Sequence, residues 1–277
     1  MKLIIQNFTV LLILVLFPGL NAGENKPSHE YYEHRVYKIT SAENKVKVLN
    51  YLEKVYVPAL KRAGIKRVGV LVNAEIQTKK KKGKKSAGPD HSIHVILSFV
   101  SANQYASLSE VLGKDATYQT ASSEHFTEAK KAAIYTRIDS SFYKSFTGMP
   151  FMELPQQTVN KTERLFELRM YESHNEGRAA LKRDMFNAGK ETQLMRDTKL
   201  GPVFFGECLR GRSYPNLLYM VCSSNIKENK AHWKTFMTSP EWNEMKNLKK
   251  YKETVSNIEM TYLKPVSFSD IDRKSVV

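Results

Sequence analysis

Glu33-His34-Arg35-Val36-Tyr37, near the start of the chain, returns 134 residues later as Glu167-Leu168-Arg169-Met170-Tyr171. A shared Glu-x-Arg-x-Tyr is a weak signal by itself, because charged and aromatic residues often alternate along strands. It constrains the fold because later landmarks also return, in the same order, which marks a tandem duplication of one small domain. A chain of 277 residues has room for two such domains, each with its own core. Hydrophobic residues make up 42% and charged residues 26%, a balance that excludes wholesale disorder.

In the first copy, Tyr31 to Ile39 alternates as a strand does. Glu43 to Ala63 follows a helical period with Leu49, Leu52, Tyr56 and Leu60 on one face; Pro58 is expected to kink or break it and Gly64 to end it. Strands follow at Val68 to Ile76, Ile93 to Val100 and Ile134 to Phe146, with helices from Ala102 to Lys131 broken near Gly113-Lys114-Asp115. In the second copy Leu165 to Tyr171 is a strand, and Leu181, Met185, Ala188 and Met195 mark the buried stripe of a helix. Val203 to Arg210 and Leu217 to Ser223 form a hairpin, and a helical stretch with Trp233, Phe236, Trp242 and Met245 breaks at Ser239-Pro240. Thr254 to Leu263 closes the unit, so both copies read βαββαβ. The first repeat occupies residues 30–147, a turn-rich linker 148–162, the second repeat 163–266 and a tail 267–277.

The spacing between matching landmarks locates an insertion. Val203 lies 135 residues beyond Val68, but Tyr219 lies only 125 beyond His94 and Trp242 only 124 beyond Tyr118. The step from 135 to 125 gives the first hairpin ten extra residues, and the run Lys79-Lys80-Lys81-Lys82-Gly83-Lys84-Lys85 falls there. The formal net charge is +15, and this run is expected to be a solvated loop with at most weak adsorption of anions. Without interleaved aromatics or a groove-reading helix, it does not point to specific nucleic-acid binding.

A βαββαβ unit makes a four-stranded antiparallel sheet with both helices on one face, as in ferredoxin-like folds. The bare faces of two copies can meet, giving an α+β protein in which two ferredoxin-like repeats pack sheet to sheet as an intrachain dimeric α/β barrel. Strand parity sorts the faces. Phe166, Leu168 and Met170 form an apolar face suited to helices, which turns Glu167, Arg169 and Tyr171 toward the space between the sheets. The same parity turns Glu33, Arg35 and Tyr37 inward, with Tyr32, His34 and Val36 toward the helices. The inward set reads either as a paired network fixing register or as the polar floor of a ligand pocket.

The Glu-Leu-Arg-Met-Tyr strand resembles the opening of NIPSNAP domains, as do the Ser239-Pro240-Glu241-Trp242 break and the Leu263-Lys264-Pro265 close. Tyr171-Glu172-Ser173-His174-Asn175-Glu176, Val203-Phe204-Phe205-Gly206-Glu207 and Pro215-Asn216-Leu217-Leu218-Tyr219-Met220 are similar to exported, two-repeat bacterial members of that family. In the first half, Tyr135-Thr136-Arg137-Ile138-Asp139-Ser140-Ser141 and Gly148-Met149-Pro150 fit the same pattern. The resemblance implies the dimeric α/β-barrel superfamily. It implies no settled reaction, since relatives of that fold include cofactor-free monooxygenases, haem-binding enzymes and plain binding modules.

Residue chemistry narrows the roles. His34 and His94 match Leu168 and Tyr219 in the second copy, so neither belongs to the repeated design, and no haem or metal site is expected. Ser173 or Asn175 suits a helix N-cap better than Glu172 and His174 suit acid-base work. No nucleophile elbow, phosphate loop or zinc-type cysteine cluster is present, and no cofactor is expected. The expected ligand-binding residues are Glu33, Arg35, Tyr37, Glu167, Arg169, Tyr171, Glu207 and Tyr219. They favour a non-catalytic module for a small aromatic or apolar ligand or a protein partner, with a cofactor-independent monooxygenase using the inter-sheet cavity as the alternative. Cys208 and Cys222, on two arms of one hairpin, are expected to be buried free thiols. Lys2, the apolar run from Leu3 to Phe17, Pro18-Gly19 and Ala22 read as a secretory signal over residues 1–22, hence a secreted or periplasmic protein without stable membrane insertion.

Overall fold

The computed structural model describes residues 28–76, 90–126, 133–154 and 163–272, so the expected signal segment and the lysine run lie outside the described residues. The first repeat comprises β1 (Tyr31–Lys38), α1 (Ala42–Tyr51), a π-helical stretch (Leu52–Tyr56), α2 (Val57–Arg62), β2 (Arg67–Asn73), β3 (Ile93–Phe99), α3 (Ala102–Lys114), α4 (Ala116–Phe126) and β4 (Arg137–Ser145). The second comprises β5 (Leu165–Glu172), α5 (Glu176–Asn187), α6 (Glu191–Asp197), β6 (Pro202–Arg210), β7 (Asn216–Ser223), α7 (Ile226–Thr238), α8 (Pro240–Met245) and β8 (Asn257–Pro265). All eight strands close into one antiparallel barrel in the order β1-β3-β2-β8-β5-β7-β6-β4. The two seams between repeats are β2 with β8 and β4 with β6.

Local chemistry sets the helix boundaries. Ser41 caps α1 by accepting from the Asn44 amide, and the π stretch lies immediately before Pro58, where a widened turn accommodates a residue with no amide hydrogen. Asp115 ends α3 in an extended conformation and accepts from the Tyr118 amide, starting α4. Ser239 stops α7 and caps α8 through the Trp242 amide, with Pro240 at the first helical position. Asn175, not Ser173, caps α5, and the Ser173 hydroxyl donates to the Thr254 carbonyl instead. His174 is exposed.

The parity expectation is corrected. One buried cluster draws residues from all eight strands, including Tyr32, Leu71, Ile96, Tyr143, Phe166, Leu168, Phe204, Met220 and Leu263, and this is the barrel interior. Tyr37 belongs to the first helix-side core, and Tyr171 and Tyr219 to the second. Glu33, Arg35, Tyr37, Glu167, Arg169 and Tyr171 therefore face the helices, and the apolar Phe166-Leu168-Met170 face lines the barrel. The physical reason is closure. A closed ring of strands excludes water more completely than a helix layer, and helices carry polar side chains that can satisfy charge.

Both seams are finished by chain beyond the last strand of a repeat. Met152 enters the barrel cluster as the Glu153 amide donates to Val203, and Ile271 enters it as Val68 and Val70 donate to Asp270 and Ser269. Gly69 leaves room for Ile271, because a Cβ there would lie 2.1 Å from Ile271 Cδ1. Cys208 and Cys222 are buried in the same interior and are not joined by a disulfide, and burial pushes the Cys208 thiol up to about 11.

The ladders also correct one landmark. Leu71 pairs with His94 in the first hairpin and Gly206 with Leu218 in the second. Gly206 lies 135 residues beyond Leu71 and Leu218 lies 124 beyond His94, so the match of His94 is Leu218 and the insertion is eleven residues.

Candidate functional site

The second Glu-x-Arg-x-Tyr strand lies beneath a cavity of about 530 Å³ between the sheet and α5–α8. Glu167 is fully buried, and its carboxylate is saturated: Oε1 accepts from Arg169 Nη1 at 2.7 Å, Oε2 from Asn229 Nδ2 at 2.9 Å and Trp233 Nε1 at 2.6 Å. The Arg169 guanidinium sits 4.5 Å from the Trp233 ring centre and 5.5 Å from that of Tyr171, an arrangement that holds the cation against two π faces. Tyr219 donates to the Tyr171 hydroxyl at 2.8 Å from a fully buried position. Burial pushes both phenols above their ordinary range, so they remain protonated at neutral pH.

Of the expected residues, Arg169 and Tyr171 line this cavity, while Glu167 and Tyr219 support them by hydrogen bonds. Glu207 is not brought to it; its carboxylate pairs with Arg183 at 2.5 Å. Sequence reasoning missed Lys182, Glu191, Trp233 and Trp242 as lining residues. Lys182 is buried on α5 with Ala179, Met185 and Phe186, and pairs with buried Glu191 at 2.7 Å, whereas Ala188 of the expected stripe is exposed. Burial holds the Glu191 carboxyl above its ordinary range, against the pull of Lys182. The available signal was helical spacing: Lys182 falls on the same period as Ala179, Met185 and Phe186.

Two buried donors in this wall have no protein partner: Arg169 Nε and Trp242 Nε1. A buried N–H without a partner is costly, so an acceptor in the cavity is the natural complement.

The first repeat has a smaller counterpart of about 410 Å³, lined by Arg35, Tyr56, Tyr105, Ser109 and Tyr118 among others. Glu33 Oε1 accepts from Arg35 Nε at 2.7 Å and Ser140 Oγ at 2.6 Å, while Oε2 is buried without a partner. Tyr37 packs edge-on against Tyr135. Among the described residues, no group of three or more His, Cys, Asp or Glu is placed to hold a metal ion, and no helix is long and apolar enough to cross a membrane.

The NIPSNAP family model matches residues 166–270. No curated protein matches the chain. Among solved structures, a provisionally assigned monooxygenase of Lactobacillus acidophilus NCFM is similar at 8% identity and TM-score 0.51, over 86% of this chain and 94% of its own. An anthrone oxidase-like protein is similar at 10% identity and TM-score 0.51, over 88% and 92% respectively. A NIPSNAP family protein of unknown function from Agrobacterium tumefaciens str. C58 aligns at 17% identity and TM-score 0.35, with 41% of this chain and 97% of that one. At these identities the first two likenesses are ones of fold, the dimeric α/β barrel, which this chain builds from one polypeptide. Residues 166–270 are accordingly a NIPSNAP domain, the second of two like repeats in a single closed barrel.

Proposed function

We propose that the second-repeat cavity binds a small, flat aromatic ligand carrying an acceptor oxygen, such as a carboxylate or carbonyl. The observation that carries this reading is the pair of unsatisfied donors, Arg169 Nε and Trp242 Nε1, in one wall of the cavity. Trp233, Trp242, Tyr171 and Phe236 supply aromatic faces around them, and the volume of about 530 Å³ suits a molecule of that class. The leader read at residues 1–22 supports an exported module. A protein partner in place of a small molecule is the outcome if no ligand enters.

The protein has two tryptophans in all, Trp233 and Trp242, and both line the cavity, so intrinsic fluorescence reports on it directly. Benzoate is expected to quench that fluorescence saturably, and Trp242→Phe, which removes one unpaired donor, to weaken calorimetric binding about tenfold. Binding unchanged in both Trp242→Phe and Arg169→Met rejects the polar contact.

The fold shared with the anthrone oxidase-like protein supports a second reading, a cofactor-independent oxygenase using the same cavity. The Arg169 cation with the Tyr171 hydroxyl, itself held by Tyr219, is an arrangement that would hold a substrate oxyanion. Dioxygen uptake with an anthrone, without added cofactor and lost in Arg169→Met, selects this reading over binding alone.

A further inference from the structure

The barrel interior is not filled from end to end. Toward the C-terminal ends of β1 and β5 it opens into a second cavity of about 220 Å³, remote from the helix-side pockets and bounded by residues of both repeats. The first repeat contributes His34, His94, Ser141 and Tyr143, and the second contributes Leu168, Met170 and Leu218. The first-repeat imidazoles thus face apolar side chains of the second repeat, with charged residues of both repeats around them.

His34 Nε2 and His94 Nδ1 lie 3.0 Å apart, with the rings nearly parallel at 17°. Burial holds the His94 imidazole at about 4 and His34 well below its ordinary value, so both are neutral at pH 7. Whichever ring donates across the pair, two neutral imidazoles leave one N–H and one bare nitrogen. Among the described residues nothing takes up those two remaining nitrogens. The charged groups at the rim are matched: Lys38 with Asp139 at 3.5 Å, and Arg212 with Glu259 at 2.9 and 2.6 Å. Asp90 is held by the Ser92 amide.

A structural role explains these histidines poorly. Pseudo-symmetry places Leu168 where His34 stands and Leu218 where His94 stands, so leucine suits both positions in a barrel of this shape. Register is already fixed by ladders on both sides of β1 and β3. His94 is buried and His34 half-buried, so the pair forms part of the cavity wall rather than of a sealed core.

We propose that this end of the barrel is a separate ligand site, for a small uncharged amphipathic molecule with one hydroxyl or amide group. The imidazole pair offers such a group one donor and one acceptor, and Leu168, Met170 and Leu218 cover its apolar part. Matched rim charges favour an uncharged molecule, and the volume, roughly that of seven waters, limits it to about the size of phenol.

The test is a titration of the full ¹⁵N-labelled chain with phenol at neutral pH, followed through its histidine side-chain signals and the Met170 methyl. Saturable shifts of His34 and His94 are expected, with His174 unmoved. His34→Leu, which installs the residue the second repeat carries, should weaken binding about tenfold as read on Met170. His94→Gln should weaken it as well and serves if the leucine variant does not fold. Arg169→Met should leave the histidine shifts intact, which separates this site from the helix-side cavity. Non-saturating shifts, wild-type affinity in the folded histidine variants, or loss of the shifts in Arg169→Met would each overturn the proposal.

Discussion

The two repeats keep the same Glu-Arg pair beneath their helices but differ in where their further polar groups lie. In the second, ionic chemistry lies beneath the helices: Glu167 holds three donors and Lys182 pairs with Glu191, while leucines line the barrel. In the first, the barrel side carries His34 and His94, and beneath the helices the Glu33–Arg35 pair is surrounded largely by tyrosines and aliphatic residues. N-caps Ser41 and Asn175 match Lys182 to Val48, and the matching helix-end bonds Ile65 to Leu60 and Leu200 to Met195 match Glu191 to Tyr56. N-caps Ser101 and Asn225 likewise match Asn229 to Tyr105 and Trp233 to Ser109, which accounts for the unpaired Glu33 Oε2. A duplication inside one chain frees each copy to specialise, since neither must serve both faces of a symmetric dimer.

The largest change is expected at the buried ion pair. Lys182→Met leaves the Glu191 carboxyl buried without its cation and should cost about 3–5 kcal/mol, read from the urea midpoint. Transplanting the first-repeat pair, Lys182→Val with Glu191→Tyr, should recover most of that loss, because apolar replacements of buried ion pairs are commonly neutral or stabilising. If the double variant is as weak as the single one, the repeats do not correspond here.

The histidine pair gives a smaller effect with a defined sign. Below pH 6.5 an unfolded histidine takes a proton that folded His94 refuses until about pH 4. Stability is therefore full above pH 6.5 and falls toward pH 4, by about 1.4 kcal/mol per pH unit for each histidine. Denaturation of wild type and of His34→Leu with His94→Leu across this window checks it: the double variant should show the shallower slope.

The smallest effect is a gain. Ser109→Trp sets an indole N–H where Trp233 meets Glu167 in the second repeat, within a cavity of about 410 Å³. Pairing Glu33 Oε2 should add about 1 kcal/mol, measured by chemical denaturation. A loss instead would mean that the first-repeat cavity does not admit the indole in that register.

Much of this was legible before folding. Alternation, Pro58, Gly64, Asp115 and Ser239-Pro240 mark strands and helix breaks through local sterics and capping, which depend on neighbours in sequence. Glu167, Arg169, Tyr171 and Tyr219 do meet, since fixed strand pairing brings Arg169 opposite Tyr219. Lys182 was not legible, because a lysine in a helical stripe reads as solvent-facing until its partner from another helix is known. The match of His94 was one residue out, since landmark spacing cannot resolve an offset hidden beside an insertion, and a ladder register can.

Two copies of one βαββαβ unit, and the residues that share a strand face, follow from the string of residues alone, because repetition and period-two alternation are properties of that string. Which face became the inside was set by how the strands pack. Alternation labels two faces without ranking them, and closing eight strands into a ring makes the interior the drier side. The apolar face goes there, and Glu-x-Arg-x-Tyr is left to the helices.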